Sequence, residues 1–322
     1  MGRLVDGHWR ETDGAARGGG SFERAPSRFR NWITPDGAPG PTGTGGFAAE
    51  SGRYHLYVSL ACPWAHRTLI FREIKGLVPH IGVDVVHPLM LADGWTFAAD
   101  FPGATGDSLF GSAFLRDIYL RAEPGATTSV TVPVLWDRRT GGIVSNESAD
   151  IIRMLNGAFD AITGNADDYW PAALRDEIEA VNDRVYATVN NGVYRAGFAT
   201  RQEAYDEAVH ALFASLDWLE DRLASRTWLV GDRLTEADWR LATTLFRFDA
   251  VYHGHFKCNR RRLVDYPRLW RYARRLYQRP GVAGTVDPAH IAHHYYGSHR
   301  HINPTGIVPV GPDTDWTSPV SA

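Results

Sequence analysis

The 322-residue chain predicts two domains, an α/β unit in its N-terminal half and an all-α unit in its C-terminal half. Three observations carry this expectation. Between residues 53 and 160, short β-branched or aromatic runs alternate with helical ones. Beyond residue 172 the helical period continues while strand patterns nearly vanish. Finally, 44% hydrophobic and 12% aromatic residues suffice for a sizeable core, and the length is comfortable for two domains.

Residues 1–52 are rich in Gly, Pro and Arg and are expected to form an arm or extended loop. Phe22, Phe29, Trp32 and Phe47 suggest that parts of it lie on the body. The run RYHLYVS from Arg53 to Ser59 alternates and reads as a strand. Residues 65–75 have apolar residues at helical spacing and are closed by Gly76. Ile81 to His87 predicts a second strand, followed by a long loop containing Trp95 and a short helix near Ser112 to Ala122. Val130 to Asp137 (VTVPVLWD) predicts a third strand with Pro133 inside it. Gly141 and Gly142 then turn the chain into Ile143 and Val144, and residues 147–156 are helical. This β-α-β-loop-α-β-β-α order is that of a thioredoxin-like unit.

Residues 172–190, 202–223, 235–251 and 266–278 all have helical period. Thr235 reads as an N-cap with Asp238 at the reciprocal capping position. Five prolines from Pro288 onward predict a mostly irregular tail after Gly281. The expected division is an arm at 1–52, a thioredoxin-like domain at 53–160, a helical domain at 168–290 and a tail at 291–322 that packs back on the body.

Several function classes are disfavoured. A net charge of -3 with no basic stripe gives nucleic-acid binding little support. No run of 18 uncharged apolar residues offers a membrane span, and residues 1–20 lack the apolar stretch of a secretory signal. Two cysteines cannot build a disulfide framework, which fits a reducing compartment and makes the cytoplasm the expected location. Lysine occurs only at positions 75 and 257, a bias attributable to coding-sequence composition.

Cys62 directly follows the first predicted strand and precedes Pro63, Trp64 and Ala65 at the start of a helix. Pro63 suits the first helical position, where its missing N–H costs nothing. Cys62 is thereby an N-cap, facing unpaired backbone N–H groups and the positive end of the helix dipole. Such settings stabilise a thiolate and bring cysteine pKa values from about 8.5 into the range of roughly 3.5–7.5. Ala65 stands where a second cysteine would complete a dithiol, so a disulfide on Cys62 needs an external thiol to resolve it. Against this stands the ordinary reading of a lone cysteine as a small buried hydrophobe, which is retained for Cys258.

The segments RYHLYVSLACPWAHRTLIFREIKGL, DGWTF, VTVPVLWD, IVSNES and INPTGIVPVGP closely resemble the glutathionyl-hydroquinone reductases, the Xi class of glutathione transferases. The resemblance runs from about residue 20 to the end. It implies the glutathione transferase fold, a homodimer, and reduction of a glutathionyl-hydroquinone by glutathione, which is a co-substrate with no bound cofactor. Carried over, Cys62 attacks the glutathione sulfur of the substrate, and Tyr194 in NNGVYRAGF matches the proton donor to the departing ring carbon. Tyr252 and Tyr295 match phenols that favour the Cys62 thiolate by hydrogen bonding. Tyr296 adjoins Tyr295, so a one-residue register change would exchange them. For glutathione, the resemblance implies contacts from Trp95, from Ser129, Val130, Thr131 and Val132 ahead of a cis Pro133, and from Glu147 and Ser148 at a helix start. At Ser129 the chain departs from the family, which often has Arg there to pair with a glutathione carboxylate. Another low-molecular-weight thiol is therefore an open alternative as co-substrate.

The histidines at 290, 293, 294, 299 and 301, with His253 and His255, lack zinc-ligand spacing, and no metal is expected. Gly18, Gly19 and Gly20 lack the Lys-Ser/Thr of a phosphate loop. Alternatives to the reductase are an omega-like thioltransferase or dehydroascorbate reductase using the same Cys62, and a non-catalytic binding module of the same fold.

Overall fold

The computed structural model describes residues 2–11 and 16–320. In the N-terminal half the elements are β1 (Gly2–Val5), β2 (His8–Glu11), β3 (Ala16–Arg17), β4 (Ser21–Phe22), β5 (Tyr54–Val58), α1 (Pro63–Ile74), β6 (Gly82–Val85), α2 (Leu115–Ala122), β7 (Thr128–Ser129), β8 (Val134–Asp137), β9 (Gly142–Ser145) and α3 (Ser148–Gly157). There follow α4 (Asp160–Thr163), α5 (Arg175–Val185), α6 (Gly192–Gly197), α7 (Gln202–Arg222), α8 (Glu236–Leu245), α9 (Pro267–Tyr277) and α10 (Pro288–Ser298). Residues 2–11, 25–167 and 289–294 form one compact unit, and residues 16–24, 168–288 and 295–320 form another. Among the described residues no helix is long and apolar enough to cross a membrane.

The first unit is organised by a four-stranded sheet in the order β6-β5-β8-β9, with β5 and β6 parallel and the other pairs antiparallel. All five residues of β5 are buried, so its apparent alternation does not mark a solvent face. His55 can lie inside because Asp84 on neighbouring β6 stands 3.0 Å from its Nε2. Pro63 opens α1, and Gly76 closes it with φ +68. There the Gly76 N–H donates to Glu73 and the Leu77 N–H to Arg72, the double bond of a Schellman ending.

Two expectations for this unit are corrected. The strand expected over 130–137 is ordered as a ladder only from Val134, because Pro133 has no N–H to give; the Val132–Pro133 bond is cis. Residues 1–52, expected as an arm or extended loop, begin with a hairpin: β1 pairs with β2 on one side and β7 on the other. Asp6 and Gly7, with φ 49 and 76, make the two-residue turn between β1 and β2, and Asp-Gly between alternating residues is its sequence signal.

In the second unit, α8 is buried along all ten residues and contacts both α5 and α9, while α6 lies on α7. The Asp238 carboxylate caps α8 by accepting from the Thr235 N–H and hydroxyl, and it also accepts from the Leu229 N–H and the Tyr272 hydroxyl. Two expected helices are interrupted by π turns, at Tyr186–Asn190 and Phe248–Tyr252. The tail expected to be irregular from Gly281 instead contains α10, with Pro288 as its first residue, a position where proline is tolerated. Further on, Trp316 packs against Trp270, Tyr277 and Phe246, and Gln278 donates to the Trp316 carbonyl.

Candidate active site

Cys62 is the N-cap of α1, with extended φ −77 and ψ 121, and its carbonyl accepts from the His66 N–H. The side chain is half-buried, and its Sγ lies 3.7 Å from the Val132 carbonyl oxygen, to which the thiol donates. Neither Cys62 nor Cys258 is in a disulfide among the described residues. Ala65, one turn into the helix, is fully buried. Of the neighbouring cationic side chains, Arg67 is buried with its guanidinium 4.6 Å from the Trp64 ring centre. The nucleophile candidate therefore combines partial access with the first-turn amides of a twelve-residue helix.

The other residues expected to hold glutathione occupy the same unit. Trp95 is buried and stacks on His294 of α10 at 4.8 Å, and His294 in turn bonds the Pro88 carbonyl through Nδ1. Val130 and Val132 are buried, Thr131 is half-buried and Ser129 is exposed. The Tyr119 hydroxyl accepts from the Thr131 N–H and donates to the Thr131 carbonyl, locking this segment ahead of the cis bond. Glu147 is the N-cap of α3, where its carboxylate accepts from the Ala149 N–H and from the Ser27 hydroxyl. Ser148 is the first, buried residue of α3.

The three tyrosines come together in the second unit. The Tyr295 hydroxyl lies 2.6 Å from that of Tyr194 and 2.9 Å from that of Tyr252. All three side chains are buried, and Tyr296 instead bonds the Ala250 carbonyl. Burial, reinforced by the neighbouring Tyr194, pushes the Tyr252 and Tyr295 phenols well above their ordinary range, with Arg247 opposing the shift. Both thus stay protonated donors at neutral pH. Phe22 and the Arg24 guanidinium cover the Tyr194 ring, the latter at 5.2 Å, while the Arg24 Nε donates to Asn191. Tyr252 ends one π turn and Tyr194 lies shortly after the other, a local geometry that helical periodicity does not reveal.

Residues 61–158 match the glutathione S-transferase N-terminal domain, and residues 202–275 match the corresponding C-terminal domain. The chain is 59% identical over 320 residues to glutathionyl-hydroquinone reductase YqjG of Escherichia coli (strain K12), covering 99% of this chain and 98% of that one. It is 52% identical over 315 residues to glutathionyl-hydroquinone reductase PcpF of Sphingobium chlorophenolicum, covering 97% and 96%. The glutathione-bound structure of YqjG matches with a TM-score of 0.93 at 57% identity, over 99% of this chain and 98% of that one. A Xi class transferase from Natrialba magadii matches with a TM-score of 0.91 at 47% identity, over 99% and 95%. The chain belongs to the Xi-class glutathione transferases.

Within this Xi-class chain, Cys62 belongs to the first unit and the tyrosines to the second. No sequence signal marks Ser27 or Tyr119, whose partners lie 120 and 12 residues away along the chain. The histidine-rich segment is occupied with structural contacts: His290 Nε2 lies 2.8 Å from the Pro102 carbonyl oxygen, and His255 pairs with His299 at 3.1 Å.

Proposed function

We propose that this protein reduces glutathionyl-hydroquinones with glutathione, yielding the hydroquinone and glutathione disulfide. The observation that carries the reading is the monothiol at the start of α1, Cys62 with Pro63 after it and Ala65 in place of a second cysteine. Curated relatives named glutathionyl-hydroquinone reductase, at 59% and 52% identity over nearly the whole chain, support the substrate class.

In the first step the Cys62 thiolate attacks the substrate's glutathione sulfur. An S–S bond forms, the sulfur–carbon bond breaks, and its electron pair goes to the ring carbon. Tyr194 gives that carbon a proton, and the chain through Tyr295 to Tyr252 keeps hydrogen bonds on the phenolate left behind. Tyr252 and Tyr295, as protonated donors, also favour the thiolate form of Cys62. A second glutathione thiolate then attacks the mixed disulfide, releasing glutathione disulfide, and its proton restores Tyr194. The ring carbon gains two electrons, one from the substrate's thioether sulfur and one from the thiol of the second glutathione, which end joined in glutathione disulfide, so the electrons balance.

Glutathione lies against Trp95, along Ser129, Val130, Thr131 and Val132, with its γ-glutamyl end at Glu147 and Ser148, where the opening of α3 offers amides to a carboxylate. The working form is a cytoplasmic homodimer. Intact mass after incubation with glutathionyl-hydroquinone and no free thiol tests the first step. The expected result is one adduct of glutathione mass on Cys62 with hydroquinone released. Full turnover by Cys62→Ser overturns the reading.

A further inference from the structure

Ser129 removes a cation from the place where the resemblance leads one to expect it, but the strand pairing brings another alongside. In the antiparallel pairing of β1 with β7, Arg3 stands opposite Ser129 and Leu4 opposite Thr128. Directly opposed residues of antiparallel strands share a face, with Cβ atoms about 5 Å apart. Burial agrees with this, since Leu4 and Thr128 are both buried whereas Arg3 is half-buried and Ser129 exposed. A serine at 129 is short enough to leave the neighbouring guanidinium room.

The face carries more positive charge than its own strands neutralise. On the other side of β1, Arg10 of β2 is directly opposite Arg3, so two guanidinium side chains and Ser129 form one cross-strand row. Like charges in that relation are unfavourable unless an anion joins them. Among the described residues, the Arg3 Nε is buried and has no hydrogen-bond partner. A buried guanidinium N–H without an acceptor is costly, and a carboxylate is its natural complement.

The row also runs into a segment proposed to hold glutathione. β7 runs directly into Val130, Thr131 and Val132, so Ser129 lies three residues, about 10 Å, from Val132. On the opposite face of the hairpin, Trp9, paired with Leu4, donates its indole N–H to the Ala92 carbonyl at 2.9 Å and so fixes β1 and β2 in place. An extended tripeptide spans a similar length of about 10 Å. With the γ-glutamyl end at α3, the remaining carboxylate of glutathione is the glycyl one.

We propose that Arg3 binds the glycyl carboxylate of glutathione, supplying from β1 the guanidinium that position 129 lacks. This rests on glutathione being the co-substrate, as proposed above. It turns the departure at Ser129 into a relocation of charge across one strand.

The test compares Arg3→Gln with the double variant Arg3→Gln/Ser129→Arg, using calorimetric Kd for glutathione and steady-state kinetics on glutathionyl-hydroquinone. Loss of one charged hydrogen-bonding partner predicts about a tenfold or larger rise in Kd and in KM for glutathione in Arg3→Gln, with kcat changed less. Returning the guanidinium at position 129 recovers most of that loss. Glutathione esterified at its glycine, whose glycyl carboxylate charge is removed, binds wild type and Arg3→Gln equally. Unchanged Kd and KM in Arg3→Gln, with turnover intact, overturn the proposal and leave the proposed function standing. A weakened Arg3→Gln that position 129 does not rescue, accompanied by a lowered melting temperature, overturns it in favour of a purely structural Arg3. Absence of glutathionyl-hydroquinone turnover in the wild type overturns the proposed function instead.

Discussion

A phenol is useful as a proton donor only while it keeps its proton, and burial secures this for Tyr252 and Tyr295 by disfavouring the charged form. Tyr194, hydrogen-bonded to Tyr295, is the member assigned to the ring carbon. Breaking a carbon–sulfur bond needs that proton, whereas exchange between two disulfides does not. Tyr194→Phe is therefore expected to slow hydroquinone release by about a hundredfold or more while leaving exchange with a small mixed disulfide near wild type. Steady-state rates on the two substrates measure the difference, and equal slowing of both would remove Tyr194 from the role of donor. The residue identities were legible through the resemblance, but their hydrogen bonds were not. Choosing Tyr295 over Tyr296 for the cluster required the actual rotation of α10, because adjacent residues on a helix point about 100° apart.

At the scale of elements, one buried ion pair ties the entry of β5 to β8. The Arg53 guanidinium donates to both Asp137 oxygens, at 2.9 and 2.6 Å, and Asp137 is fully buried. Burial alone pulls Asp137 upward, but the Arg53 fork, the Arg139 N–H and the Thr140 hydroxyl outweigh it and hold the carboxyl below its ordinary range. The native form therefore binds its proton less readily than the unfolded one. The resulting stabilisation is complete above the unfolded value of about 3.9 and is lost as pH falls through the lower native value. Asp137→Asn removes one of the two carboxylates on the buried Arg53 guanidinium and leaves only Glu50, so about 2 kcal/mol of destabilisation is expected at pH 7. Urea unfolding at pH 7 and in acid measures this; the gap to wild type should narrow in acid, and a constant gap would contradict the assignment. Helix starts and stops such as Pro63, Gly76 and the Thr235–Asp238 box were readable because their hydrogen bonds close within a few residues. The π turns were not, since each shifts the apolar phase by only about one residue, too little to stand out in a short helical run.

For the whole molecule, the two thiols report on different things. Cys62 is half-buried at a helix start, whereas Cys258 is completely buried and its thiol is pushed strongly upward by that burial. A haloacetamide added to the native protein at neutral pH should modify Cys62 alone, and a second label should appear only with global unfolding. Intact mass across a denaturant series follows both events; two labels at zero denaturant would show that the second unit opens readily around Cys258.

From the sequence alone came the two-domain plan, the thiol between strand and helix, and the absence of its dithiol partner. These are legible because they depend on backbone hydrogen bonds and side-chain volumes within one turn or strand. Tertiary structure decided the rest: the phenol chain, α10 within a proline-rich tail, and the placing of Arg3 beside Ser129 across 126 positions of chain. Such pairings depend on register between distant strands and helices, and register is set by burial of whole faces, which no local pattern specifies.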